Sequence, residues 1–420
     1  MTRSMLSLVL LALMVTGHVR AQCLQQSNLP LEGRTQLDHQ ALPNAQRAFS
    51  AEMLRQLGKR ESTDDSTPGS NLFFSPYSTY MALLLAYFGA AGHTEAVLQK
   101  GLHLQDLPKD KIMEAYQMER FFQGTRAANG TPSYELSSAN RLYFRERQPL
   151  RQCIQDLFRE EIQKLDFENK SDEARQTINS WVSAQTKNRI NDLLPSGTIT
   201  PATNVVLVNA GYFKGLWQSQ FQPERTKKAV FYMSSTKQTL VDMMRLKGNF
   251  NHAVSHALGA HLLELPYKSN EVSMVILLPP YLNDPDGGLQ QLLNKLTPQA
   301  LQEAMEPGSM AARAVEVAIP KFTVEHSIEL QPADLTGFSD PEDNSTSRVW
   351  LDGAVHKARL EVDEKGSVAA AATALFSFRS SRPLEPEQFV CDHPFVYLIV
   401  DKLGGGTILF AGIYRNPREQ

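Results

Sequence analysis

The stretch EKGSVAAAATALFSFRSSRP, Glu364 to Pro383, is where this chain offers chemistry most plainly. It holds no acid–base pair and no activated nucleophile. What it offers is a peptide bond to be cut. At Arg379-Ser380 a cationic side chain fits an acidic specificity pocket, and a small residue stands on the leaving side. Two other bonds compete. Arg382 precedes Pro383, whose ring lacks an N–H and obstructs the leaving side. Phe378 suits a chymotrypsin-like pocket. Upstream, Gly366, Ser367, Val368, Ala369, Ala370, Ala371, Ala372 and Thr373 form a run of mostly small residues without an amphipathic stripe. Alone, this run reads equally as an alanine-rich helix, a linker or a strand.

Other chemistry is sparse. The chain has no G-x-S-x-G elbow, no H-E-x-x-H and no P-loop. His252, His256 and His261 cluster in sequence, but their spacing suits neither one helix face nor a Cys/His metal motif. Solvated or strand-edge positions are expected for them, with no metal and no cofactor. Gly404-Gly405-Gly406 reads as a hairpin turn, since no helix follows whose N-terminus could hold a phosphate. Trp217 reads as core. The net charge of -3 gives no whole-chain case for nucleic acid or an anionic membrane. Lys109, Lys111, Arg120 and Arg126 alternate with Asp110, Glu114 and Glu119, which argues against a glycosaminoglycan site.

At the N-terminal end, MTRSMLSLVLLALMVTGHVRAQ has a basic start, a short apolar run and small residues before Gln22. Residues 1–21 read as a signal peptide rather than a buried helix, which implies a secreted, extracellular protein. Neither this run nor any later one is long enough to span a membrane comfortably. Sequons at Asn129, Asn169 and Asn344 are then candidate glycan sites. Cys23, Cys153 and Cys391 allow one internal bridge and leave one thiol. Residues 22–42 are polar and unpatterned and read as a flexible tail.

Helical patterns are predicted at about 43–58, 76–90, 93–103, 109–124, 150–163, 171–190 and 287–306. YSTYMALLLAYFGAAG should be a central buried helix, opened by Ser75-Pro76. Strands are predicted at about 135–144, 204–213, 228–233, 238–246, 260–267 and 272–279, and again through AVEVAIPKF, AVHKARLEV and the C-terminal hairpin. Helices first and strands later point to one α+β domain with large sheets.

Several of these stretches together resemble the serpin family. They are NLFFSPYSTYMALLLAYFGAAGHTE, NAGYFKGLWQSQF, VHKARLEVDEKG and DHPFVYLIVDKLGGGTILFAGIYRNP. The likeness covers residues 43–417 in order, leaves 418–420 as a C-terminal tail, and is nearest in wording to secreted insect serpins. It implies three β-sheets, eight to nine helices and an exposed reactive-centre loop at 365–388. The implied protein is not an enzyme but a monomeric suicide-substrate inhibitor. A serine protease cuts the loop and forms an acyl-enzyme, and the loop's first part then enters the main sheet as a new strand. The run described above suits that fate. With Ser367 facing inward, Ala369, Ala371 and Thr373 face inward too, all small and uncharged. Gly366 is a flexible hinge.

The resemblance also implies a sheet-opening region. Ser75, Ser78, Asn209 and His356 match the polar cluster beneath the sheet. Trp217 and Lys321 match its top, and Glu364 matches a hinge carboxylate that pairs with lysine at the position of Lys321. Counting along the family's usual loop from Gly366 reaches Ser380 as the residue before the cut, and a one-residue-shorter spacing that some serpins of trypsin-like proteases share puts the bond at Arg379-Ser380. The implied target is a trypsin-like protease in a covalent complex, within a cascade such as insect immunity or melanisation. Two departures stand out. Val368 replaces a common glutamate on the outward face. Only Gln331-Pro332 separate Leu330 from Ala333, where the family has about a dozen more residues. That shortening favours the alternative of a non-inhibitory carrier or scaffold.

Overall fold

The computed structural model describes residues 36–59, 69–90, 92–128, 134–281, 285–330, 333–334, 350–364 and 385–419. Along the chain run α1 (Gln36–Leu57), β1 (Leu72–Phe74), α2 (Pro76–Gly89), α3 (Gly92–Gly101), α4 (Lys109–Ala128), β2 (Tyr134–Arg145), α5 (Gln152–Leu157), β3 (Ile162–Leu165), α6 (Ser171–Gln185), β4 (Val205–Gly215), β5 (Lys227–Tyr232), β6 (Gln238–Ser255), β7 (Ala260–Pro266) and β8 (Val272–Leu278). There follow α7 (Pro285–Lys295), α8 (Pro298–Met305), β9 (Ala311–Pro320), β10 (Phe322–Leu330), β11 (Ala333–Asp334), β12 (Trp350–Val362), β13 (Glu387–Val390), β14 (Phe395–Asp401) and β15 (Thr407–Tyr414).

Several boundaries correct the sequence reading. α1 begins at Gln36 and carries Pro43 inside it, so the last residues of the expected tail 22–42 are helical. Those first turns show no apolar stripe in sequence, which is why the pattern starts only where Leu42 and Ala45 become buried. The helix expected at 150–163 stops at Leu157, because Ile162–Leu165 pairs parallel with β2. The interval 287–306 is two helices, broken at Thr297, whose hydroxyl accepts from the Ala300 amide and caps α8. β13 begins at Glu387, so the end of the expected loop 365–388 is already strand. The C-terminal segment is pinned: the Asn71 amide donates to Glu419 Oε2 at 2.7 Å. His252 is buried, not solvated, because its face of β6 turns toward the core.

Two hydrogen-bonded sheets hold the described strands. One has the order β1-β15-β14-β8-β7-β6-β9-β13, with β5 beside β6. The 18-residue β6 makes it continuous: it pairs β9 along its middle and β7 at its end. Two of the three sheets expected are therefore joined through one strand. The other, the main sheet, has the order β10-β12-β4-β2-β3, with β11 beside β12. The short connection after Leu330 leaves the ladder in register. Leu330 faces Ala354, and Ala333, three residues on, faces Leu351, three residues back.

Burial on both faces explains the continuous apolar runs. In β14, Phe395, Tyr397 and Ile399 face the core shared with α2 and the main sheet. Val396, Leu398 and Val400 face a second core with Ala51 and Leu54 of α1, Leu289 and Leu292 of α7 and Leu301 of α8. A third core lies under α6, where Ile178 and Val182 meet Val206, Val208 and Ala210 of β4. Tyr397 lies across Gly412, its partner on β15. A Cβ on Gly412 would meet the Tyr397 ring and come within 2.8 Å of the Leu72 carbonyl. Gly412→Ala is therefore expected to lower stability by about 1–3 kcal/mol through overpacking. A urea unfolding midpoint unchanged from the parent would contradict this.

Candidate functional site: the seam of the main sheet

Three strands of the main sheet carry a polar residue in one row. Asn140 of β2 faces Asn209 of β4, and Asn209 faces His356 of β12. The row sits against the start of α2. That helix is apolar and buried nearly all round, so its N-terminal amides must find partners inside the protein. Ser75 is its N-cap: its Oγ accepts from the Ser78 amide at 3.0 Å and donates to the Leu409 carbonyl at 2.7 Å.

The Ser75 amide donates to His356 Nε2 at 2.9 Å. Nε2 is thus the acceptor, and Nδ1 carries the proton that it donates to Asn209 Oδ1. Asn209 Nδ2 donates to Ser78 Oγ at 2.8 Å and to Asn140 Oδ1 at 2.6 Å. Ser78 Oγ donates to the same Asn140 oxygen at 3.0 Å. Every member is satisfied by the others, so losing one strands its neighbours at about 1–3 kcal/mol each. Burial, and then the neighbouring His326, push His356 down to about 3, so it is neutral at physiological pH.

The Asn209–His356 bond crosses the seam between β4 and β12. These strands are parallel neighbours from Leu351↔Val205 to Leu360↔Phe213. A second tie crosses the same seam at its top. Trp217, just beyond β4, donates Nε1–H to the carbonyl of Asp363, just beyond β12, at 2.9 Å. The indole stacks on Tyr267 at 4.5 Å, which fixes its direction. Beside it, Lys321 Nζ lies 2.9 Å from Glu364 Oε2, and Thr226 Oγ1 donates to Glu364 Oε1 at 3.0 Å. Burial alone would raise the Glu364 carboxyl. The hydrogen bonds from Lys321, its own backbone and Thr226 outweigh that and hold it below the usual carboxylate range.

The structure thus brings Ser75, Ser78, Asn209 and His356 together, and separately places Trp217, Lys321 and Glu364 at the strand ends. Gly366, Ser367, Ala369, Ala370, Ala371, Ala372, Thr373, Arg379 and Ser380 lie outside the described residues, as do Asn129 and Asn344. Asn169 is exposed in a turn. Cys153 is disulfide-bonded and Cys391 is a buried free thiol. Lys109, Lys111 and Arg120 pair with Glu95, Glu114 and Glu160. Sequence reasoning missed Asn140, Thr226 and Asp363. Only Asn140 left a trace, as a polar residue within the strand pattern ELSSANRLYF.

A family model described as "Serpin (serine protease inhibitor)" matches residues 44–417. The chain belongs to the serpin family. Serine protease inhibitor 88Ea of Drosophila melanogaster is 39% identical over 378 residues, covering 84% of this chain and 87% of that protein. Leukocyte elastase inhibitor of Sus scrofa is 36% identical over 397 residues, covering 90% and 99%. Among solved structures, a tumour suppressing serpin aligns at TM-score 0.74 and 26% identity, over 90% of this chain and 99% of that one. Serpin48 of the insect Tenebrio molitor aligns at TM-score 0.69 and 28% identity, over 90% and 98%. Its family and the named relatives are serine protease inhibitors rather than enzymes, and serpins form complexes with target serine proteases.

Two outcomes follow from the seam. The unfolded chain binds a proton at His356 below pH about 6.5 that the folded serpin refuses until about pH 3. Stability present above pH 6.5 is lost as pH falls toward 3, by about 2 kcal/mol from this site between pH 7.5 and 5. The His356→Gln variant should lose that part of the pH dependence of its urea midpoint; equal slopes would contradict it. Trp217→Phe keeps an aromatic ring in place and removes the tie to Asp363. Heat-induced oligomerisation, followed on native gels, should quicken by about fivefold for a bond worth about 1 kcal/mol. An unchanged rate would show that the tie does not hold the seam.

Proposed function

We propose that this serpin is a secreted suicide-substrate inhibitor of trypsin-like serine proteases, and that the cut loop enters the seam between β4 and β12. The observation that carries the reading is the parallel pairing of those strands. The loop leaves from the end of β12 just beyond Glu364. A segment folding back from there runs antiparallel to β12, and so also antiparallel to β4. Insertion exchanges one parallel seam for two antiparallel ones, and parallel pairing is slightly the less stable per residue. The new strand would be buried on both sides, which requires side chains that are small and uncharged where they face inward. Ser367, Ala369, Ala371 and Thr373 meet that requirement.

Arg379-Ser380 is the proposed reactive bond, its guanidinium reading an acidic specificity pocket. The protease attacks that carbonyl and is held as an acyl-enzyme while the loop folds in. The signal-like residues 1–21 and the sequons support an extracellular setting, with Asn129, Asn169 and Asn344 as glycan sites. A role in an insect proteolytic cascade fits the Drosophila melanogaster relative named a serine protease inhibitor. The in-register ladder across the short connection after Leu330 weighs against the carrier alternative, since strand pairing is kept on both sides.

Expressed in insect cells from the full sequence, the protein should appear in the medium and migrate faster after enzymatic deglycosylation. Mixed with trypsin it should form an SDS-stable complex, and the Arg379→Ala variant should lose most of it. Clean cleavage after Arg379 with no complex would sink the inhibitory reading. Complex formation that survives Arg379→Ala would move the reactive bond elsewhere.

A further inference from the structure

The long strand β6 ends in a tight hairpin with β7. There Val254 faces His261, and His252 faces Leu263, so His252 and His261 are diagonal neighbours on one face. Their ring centroids lie 5.7 Å apart with the planes tilted by 39°. Two imidazoles on one tetrahedral zinc, at Zn–N of about 2.0–2.1 Å, place their centroids about 5–6 Å apart. His252 is only 4% exposed, and its Nδ1 has no hydrogen-bond partner. A buried ring nitrogen left unpaired is costly and asks for an explanation. His261 is half-buried, so the pair is reachable from solvent.

We propose that His252 and His261 form a two-histidine site for a borderline divalent cation of the zinc class. Imidazole suits such ions, which bind the neutral ring. His261, Glu387 and Arg313 are the ionisable neighbours of His252. Among the described residues no three histidine, cysteine or acidic side chains stand together as a metal cage. The pair accordingly supplies two ligands and water the rest, with the Glu387 carboxylate as the favourable charge and Arg313 as the opposing one. Phe389 of β13 packs edge-on against His252 at 6.1 Å. An ion held there stiffens the seat of the strand that follows the loop.

The test uses the full chain without a polyhistidine tag, titrated calorimetrically with zinc chloride and, separately, with magnesium chloride. One zinc per chain is expected, and no heat from magnesium, which prefers oxygen ligands. His261→Asn should weaken zinc binding by about tenfold or more. His256→Asn, in the turn between the strands, should leave it unchanged. His252 is buried and its replacement can disturb packing, so the half-buried His261 carries the decision. A copper(II) spectrum showing two nitrogen ligands in the parent and one in His261→Asn gives a second readout. No zinc uptake, uptake kept in His261→Asn, or equal loss in His256→Asn each overturns the assignment.

Discussion

The proposed function depends on one seam, where β4 and β12 pair as parallel strands within the main sheet. The pairing is the weaker kind, and among the described residues two side-chain hydrogen bonds and the Lys214–Glu361 ion pair at 3.6 Å cross it in addition to the ladder. Asn209–His356 closes it in the middle, and Trp217–Asp363 closes it at the top. Both bonds are anchored elsewhere. His356 is fixed by the amide of Ser75 at the cap of α2, and Trp217 by stacking on Tyr267. Cores lie on both faces of the sheet, the first shared with α2 and the third under α6.

On the proposed insertion mechanism, opening the seam breaks a satisfied polar network before any replacement bond forms, which would set a high barrier ahead of a favourable end state. Polar residues suit this task better than apolar ones. A slipped apolar contact is graded, whereas a buried hydrogen bond is either made or left unpaired at full cost. On that mechanism the row Asn140, Asn209 and His356 would act as a latch. Lys321–Glu364 sits outside the seam, half in solvent on the lysine side, and contributes orientation at the loop's root more than stability.

Much of this was legible in the sequence, and the gaps have physical causes. The buried helix α2 announced itself through unbroken apolar character after Ser75-Pro76, β8 through a continuous apolar run, and β14 as one arm of the C-terminal hairpin. The sheet-opening residues came from resemblance, because no spacing rule relates Ser75 to His356 across such a sequence separation. Asn140 was missed since one asparagine in a strand carries no sign of the partner it meets. Asp363 contributes a backbone carbonyl, which side-chain chemistry cannot flag. The early start of α1 was hidden because its first turns have no apolar stripe, and β3 because pairing with β2 overrode a helical pattern.

The most direct measurement is thermal unfolding of the protein before and after a single cut in the loop, by a protease that does not remain bound. Insertion between β4 and β12 predicts a large rise in the melting temperature of the cut form, together with slowed amide exchange in both strands. An unchanged melting temperature and unchanged exchange after the cut would contradict it, and would leave the seam as a static piece of the sheet.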